Sequence, residues 1–162
     1  MKQIKIDNID LKILEILQKN GRISNLELSK QVGLSPPPCL RRLKILEESG
    51  YIESYKANLS DSKLGLNIVV FVFITLSSQQ EEVLNQLEKD ISKIEMIRES
   101  YIISGEFDFI LKVVARDWEQ YNKMLTKHLT NNPNIVNIRS SLMIKKIKSN
   151  ADIKVANLIY NY

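Results

Sequence analysis

Between Asp7 and Gly50 three short amphipathic segments follow one another with only brief glycine-containing turns between them. That spacing confines this stretch to a small helical bundle of the helix-turn-helix kind. Asp7 is placed to cap a first helix on which Ile9, Ile13, Leu14 and Leu17 share a face, and Asn20-Gly21 supplies residues that tolerate a helix stop. Ser24 caps a second helix, with Glu27 three residues on completing a capping-box pattern, and Leu28 and Val32 continue its apolar side. Gly33-Leu34 reads as a tight turn, and Ser35 precedes a third helix that stops before Gly50. A residue before proline disfavours the α region, so within Pro36-Pro37-Pro38 the helix is expected to begin near Pro38.

On the third helix, 100° per residue puts Cys39, Leu43 and Leu46 on one stripe, flanked by Leu40, with Pro37, Arg41, Lys44 and Glu48 opposite. Arg42 falls at the boundary, where its stem can lie along the protein and its guanidinium reach a phosphate. Between Val32 and Leu46 the only charges are Arg41, Arg42 and Lys44. A recognition helix buries one face and turns the other to base edges, and arginine suits a bidentate contact with guanine. The set expected at duplex DNA is Ser24, Ser35, Pro36, Pro37, Pro38, Arg41, Arg42 and Lys44, with Arg41 near the bases and Arg42 and Lys44 mainly on the backbone.

Past Gly50, Tyr51-Ile52-Glu53-Ser54-Tyr55 alternates like a half-exposed strand and predicts a small wing. Residues 1–57 therefore read as a winged helix-turn-helix domain, and the polar stretch 58–66 with Gly65 as a linker. Residues 67–148 alternate strand and helix patterns. A β-branched and aromatic run, 68–76, precedes a helix with Val83, Leu84, Leu87 and Ile91 on one side. Two strands, 96–104 and 107–115, join at Gly105-Glu106. Asp117 then caps a helix carrying Trp118, Tyr121, Leu125 and Leu129 that Pro133 closes, and 135–147 is a final strand. This order is that of a ferredoxin-like βαββαβ domain, so the whole is of the α+β class, with 149–162 as a C-terminal tail. Residues 68–76 do not alternate in polarity, so both faces of that strand are expected to be buried, the open one by a second copy in a homodimer.

Composition removes most other classes. A chain of 162 residues accommodates two small domains only if each finds a covering surface. With 44% hydrophobic and 26% charged residues it has the balance of a soluble globular protein, and no run is long enough to cross a bilayer. The opening Met1-Lys2-Gln3-Ile4-Lys5 does not read as a leader, which points to the cytosol. One cysteine and one histidine cannot make an intrachain disulfide or a tetrahedral zinc site. Cys39 sits on the buried stripe, and His128 reads as a helix-end residue. No nucleophile–base pair, phosphate-cradling loop or metal cluster is legible, so neither an enzyme nor a cofactor is expected. A net charge of +4 is compatible with nucleic acid, and Lys145, Lys146 and Lys148 are either a solvated strand end or an aid to DNA wrapping.

Ile9-Asp10-Leu11-Lys12-Ile13-Leu14, Gly21-Arg22-Ile23-Ser24-Asn25, Leu28-Ser29, Val32-Gly33-Leu34-Ser35-Pro36, Cys39-Leu40-Arg41-Arg42-Leu43, Leu46-Glu47 and Gly50-Tyr51-Ile52 together resemble the Lrp/AsnC (leucine-responsive, feast/famine) regulators. The similarity spans essentially the whole chain. It implies a transcription regulator with an ACT-like (RAM) regulatory domain, assembled as dimers and commonly as four dimers in a ring, an octamer. Pro37 stands where the family usually has a small polar residue. Ser104-Gly105-Glu106-Phe107-Asp108 is, from its residues alone, either a solvated hairpin or a turn offering N–H donors to a carboxylate and acids to an ammonium. It resembles the Gly-Asp-x-Asp turn bordering the family's effector pocket, with Glu106 replacing the first acid. The resemblance thus implies an amino-acid effector at Ser104, Gly105, Glu106 and Asp108. An architectural DNA-binding protein without an effector is the other reading.

Overall fold

The structure, a computed structural model, describes residues 5–148 together with Ile153 and Val155. The expectations for Met1-Lys2-Gln3-Ile4 and for the rest of the tail lie outside these residues. The chain divides into two compact units, Met1–Asn58 with Lys148–Tyr162, and Leu59–Ile147.

In the first unit, α1 (Asn8–Lys19), α2 (Asn25–Val32) and α3 (Pro36–Glu48) enclose a small apolar core. Asp7 caps α1 through hydrogen bonds from the Ile9 and Asp10 N–H groups, and the Asp10 carboxylate accepts the Asp7 N–H in return, which satisfies donors that a helix start leaves orphaned. Ser24 caps α2 by accepting the Glu27 N–H at 3.2 Å, and Gly33 ends it in the left-handed conformation, φ 75°. Ile13, Leu28, Val32, Cys39 and Leu46 are buried together between the helices.

Three expectations for this unit are corrected. The third helix begins at Pro36 rather than near Pro38, with Ser35 the extended residue before it at φ −77°, ψ 156°. Prolines there give up only N–H groups that have no partner within the helix, and their fixed φ already suits it; Cys39 N–H makes the first bond, to the Ser35 carbonyl. Leu40 does not flank the buried stripe: it is 42% exposed, on the same side as Arg41 and Lys44. Finally, residues 51–55 are in no strand, because a ladder requires a second strand and the described residues offer none there. The segment is pinned instead by side chains. Ile52 packs on the core, and the Tyr55 hydroxyl donates to Glu47 Oε1 at 3.0 Å. A Cβ on Gly21 would meet the Tyr55 ring at 3.4 Å. Burial, followed by the Glu47 hydrogen bond and charge, pushes the Tyr55 hydroxyl up to about 12.

The second unit is a four-stranded antiparallel sheet in the order β2-β3-β1-β4, formed by β1 (Ile68–Leu76), β2 (Ile97–Ile102), β3 (Phe109–Ala115) and β4 (Ile135–Leu142). Helices α4 (Glu81–Ile91) and α5 (Trp118–Leu125) supply Leu87, Ile91, Tyr121 and Met124 to its core, where they join Val70, Val72, Ile74 and Leu76 of β1. On the opposite face Phe71, Phe73 and Thr75 are half-buried. Residues 62–64 of the expected linker form a 3-10 turn that Gly65 closes at φ 76°. The second helix of the unit runs on past α5 as a wider π turn, Thr126–Thr130.

Strand ends are shorter than the residue pattern implies. Between β2 and β3 the loop takes in residues 103–108, because Asp108 turns inward. β4 stops at Leu142, which pairs with Val70, and Met143 N–H makes one further bond, to Val69 O. By that register Ile144 falls opposite Ile68, the first residue of β1, and residues 145–147 run past it; Ile144 and Ile147 are 96% and 93% exposed.

The Asp10 N–H above all holds the Asp7 carboxyl below its ordinary 3.8; burial opposes it as the next largest effect, and the Arg42 guanidinium and the Ile9 N–H add to the lowering. A depressed carboxyl stabilises the fold above its unfolded pKa, and that stability is lost as pH falls through the folded value. Asp7→Ala is expected to cost the first unit about 1 kcal/mol at neutral pH. In thermal melts the gap between variant and native chain should close as pH drops below about 4.

Candidate nucleic-acid interface and effector turn

The exposed side of α3 carries Pro36, Pro37, Leu40, Arg41 and Lys44, with Ser35 exposed just before it and Pro38 half-buried. Two contacts fix how that side is presented. Asn25 Nδ2, at the start of α2, donates to the Pro36 carbonyl at 2.9 Å and ties the two helix starts together. Arg42 Nη1 donates to Asp7 Oδ2 at 2.8 Å and to Asp10 Oδ1 at 2.9 Å, bridging α3 to the start of α1. Hydrogen bonds from Asp10 and then Asp7 raise the guanidinium above its ordinary range, so Arg42 is charged at any working pH. Its Nη1 is thus engaged with two acids inside the unit. Ser24 is exposed, but its hydroxyl is engaged at the α2 cap, accepting from Glu27 N–H and donating to Glu27 Oε2.

Asn25, Leu40 and the Asp7–Asp10 pair are functional candidates that periodicity did not single out. The two acids had a signal, a capping pair three residues apart. Leu40 had none, since one apolar residue beside a buried stripe reads as core.

In the sheet unit, residues 103–108 fold back on the end of β1. Gly105 takes φ 130°, a conformation that favours glycine. Ser104 and Glu106 are exposed. Asp108 is not on their side: it is 7% exposed, and its carboxylate accepts from Leu76 N–H at 2.7 Å and from Gln79 Nε2 at 2.6 Å. Residues two apart share a side only within a strand, and β3 begins at Phe109. Asp108 therefore serves as a clip joining the turn to β1. What the turn does expose is a different pair. Arg139 Nη2 lies 3.5 Å from Glu106 Oε1, with the two side chains 59% and 69% exposed. The Arg139 guanidinium also sits 5.1 Å from the centre of the Phe107 ring, and that ring lies 5.2 Å from Phe73. Arg139 comes within reach because β4 pairs with β1, Arg139 opposite Phe73.

Among the described residues, no group of three or more His, Cys, Asp or Glu is placed to hold a metal ion, and no helix is long and apolar enough to cross a membrane. Three helices with a basic exposed face, joined in one chain to a βαββαβ sheet domain, define a DNA-binding regulator with a ligand-binding module. Comparison with known proteins makes this specific. Residues 6–53 match the winged helix-turn-helix DNA-binding family and residues 69–153 the Lrp/AsnC ligand binding domain. The leucine-responsive regulatory proteins of Escherichia coli and Klebsiella pneumoniae are each 42% identical over 143 residues, 88% of this chain and 87% of theirs. A Neisseria meningitidis transcriptional regulator, solved as a complex with L-Met, superposes with a TM-score of 0.89 at 30% identity, covering 95% of this chain and 99% of that one. An AsnC family regulator from Agrobacterium tumefaciens gives 0.86 at 31% identity, covering 94% and 99%. The chain belongs to the Lrp/AsnC family of DNA-binding transcriptional regulators.

Removing the Asp108 clip leaves the buried Leu76 N–H without its acceptor, a loss of roughly 1–3 kcal/mol. Asp108→Ala should lower the unfolding free energy of the sheet unit, read from urea titration, by that amount. Asp108→Asn keeps an acceptor for Leu76 and should lose less; an alanine variant as stable as the native chain would mean the carboxylate is not structural.

Proposed function

We propose that Arg41, Lys44 and Leu40 form the base- and backbone-reading face of this regulator, that Arg42 positions that face, and that an amino acid modulates binding through Glu106 and Arg139. The observation that carries the first part is the contrast between neighbouring arginines. Arg42 is bonded to two acids, whereas Arg41 is exposed on the side that also bears Lys44. Arginine offers a bidentate donor pair to guanine, lysine a point charge to phosphate, and leucine an apolar contact to a thymine methyl. Ser35 and the prolines border the same surface and shape its approach to the duplex, while Ser24 contributes through the cap of α2.

For the effector, the Glu106–Arg139 pair is a ready complement to a zwitterion. It is open to solvent, so an α-ammonium can replace the guanidinium beside Glu106 while Arg139 turns to the α-carboxylate. Gly105 and Ser104 add backbone groups at the turn, and Phe107 with Phe73 offers an apolar floor. The methionine complex of the Neisseria regulator supports an amino-acid effector for this chain as well. The half-buried Phe71 and Phe73 support a homodimer built sheet to sheet, and family resemblance supports assembly of such dimers into an octamer. Linkage then connects the sites: an effector that prefers one assembly shifts the population of states with different operator affinity.

In gel shifts against native genomic fragments, Arg41→Ala should weaken specific binding by roughly 1–3 kcal/mol and relax sequence preference at its contact. Lys44→Ala should weaken all fragments alike and lower the salt dependence; equal affinity of Arg41→Ala and native protein for a selected fragment would refute the assignment.

The effector site is checked by thermal melts against a panel of amino acids. A ligand at about a hundred times its Kd adds about 2.7 kcal/mol to the native state. Glu106→Gln and Arg139→Ala should each abolish most of that gain while leaving the unliganded midpoint nearly unchanged. A full gain in both variants would locate the effector elsewhere, and no gain from any amino acid with the native chain would favour the architectural reading.

A further inference from the structure

Gln18 lies in the last turn of α1, and its side-chain amide makes two hydrogen bonds with a single residue distant in sequence. Nε2 donates to the Ile153 carbonyl at 3.1 Å and Oε1 accepts the Ile153 N–H at 2.7 Å. This reproduces, with a side chain, the double exchange that two facing residues make in an antiparallel ladder. Two positions on, Val155 packs against the apolar core of the DNA-binding unit, as Ile52 does. Ile153 and Val155 also form one wall of a groove of about 640 Å³, whose other walls include Leu14, Leu17, Tyr51 and Tyr55. The match to the ligand-binding family extends to residue 153, yet at Ile153 the chain is bonded to α1.

From this geometry we infer that the C-terminal segment carrying Ile153 and Val155 is a latch belonging to the DNA-binding unit, with Gln18 as its positioning residue. α1 acts as a beam. Near one end, Asp7 and Asp10 hold Arg42 of α3; near the other, Gln18 holds Ile153. The latch lies beside residues 50–55, the stretch that leaves α3, so its engagement braces the exit of α3 while Asp7 and Asp10 hold its middle at Arg42. Both hydrogen bonds are solvent-exposed, and bonds of that kind open and close at modest cost, as a reversible device requires.

The test uses the full chain, with amide hydrogen exchange and gel shifts on one selected genomic fragment. In the native protein the Ile153 amide should be protected. Gln18→Ala and Val155→Asp should each speed its exchange about tenfold and raise the Kd for DNA about three- to tenfold, with the Val72 amide of the sheet core unchanged. Gln18→Glu, which accepts from Ile153 N–H but cannot donate, should fall between native and alanine in both readouts. A freely exchanging Ile153 amide in the native chain overturns the proposal, as does Gln18→Ala with a freed Ile153 and unaltered Kd. Loss of DNA binding by the native chain would instead overturn the α3 reading, a result the exchange measurement keeps separate from the latch.

Discussion

One guanidinium between two carboxylates governs how the helices of the first unit are held together. Arg42 reaches from α3 to Asp7 and Asp10 at the start of α1, and those acids are already committed to each other's backbone as a capping box. The same atoms thus start one helix and hold another. An acid near a helix start also meets the positive end of its dipole, so the bridge from Arg42 adds to contacts that the start of α1 already makes. With Arg42 so occupied, Arg41 on the next position remains exposed, on the side of α3 that we propose reads DNA.

The sheet unit follows a similar economy at Asp108. A buried carboxylate is tolerated only when hydrogen-bonded, and Asp108 meets that condition by accepting from Leu76 N–H and Gln79. The turn it anchors then holds Glu106 and Phe107 in reach of Arg139. The structural acid and the exposed acid lie two residues apart and do opposite work, one fastening the turn and the other facing solvent.

Much of this was legible in the residues. The three helices and their caps, the βαββαβ order and the inward stripe of Cys39, Leu43 and Leu46 follow from periodicity and from Asp, Ser and Gly at helix ends, which act over a few residues. The Asp7–Asp10 capping box also had a local signature. Other features did not follow from local rules. Strand ends depend on where the neighbouring strand stops, so β4 fell short of residue 147. The alternation of residues 51–55 announced a strand, but alternation records only burial, and Ile52 satisfies it without a ladder.

Composition and spacing by themselves determined that this chain makes a basic helical domain followed by a ferredoxin-like one, since both signals lie in short-range pattern. Tertiary structure alone decided which charges are free. Arg41 and Arg42 are adjacent and chemically identical, as Glu106 and Asp108 are nearly so, and what separates them is the partner each meets from a distant part of the chain: Asp7 and Asp10, Arg139, Leu76 and Gln79. Such pairings depend on how elements pack, and packing joins residues whose sequence separation carries no periodic mark.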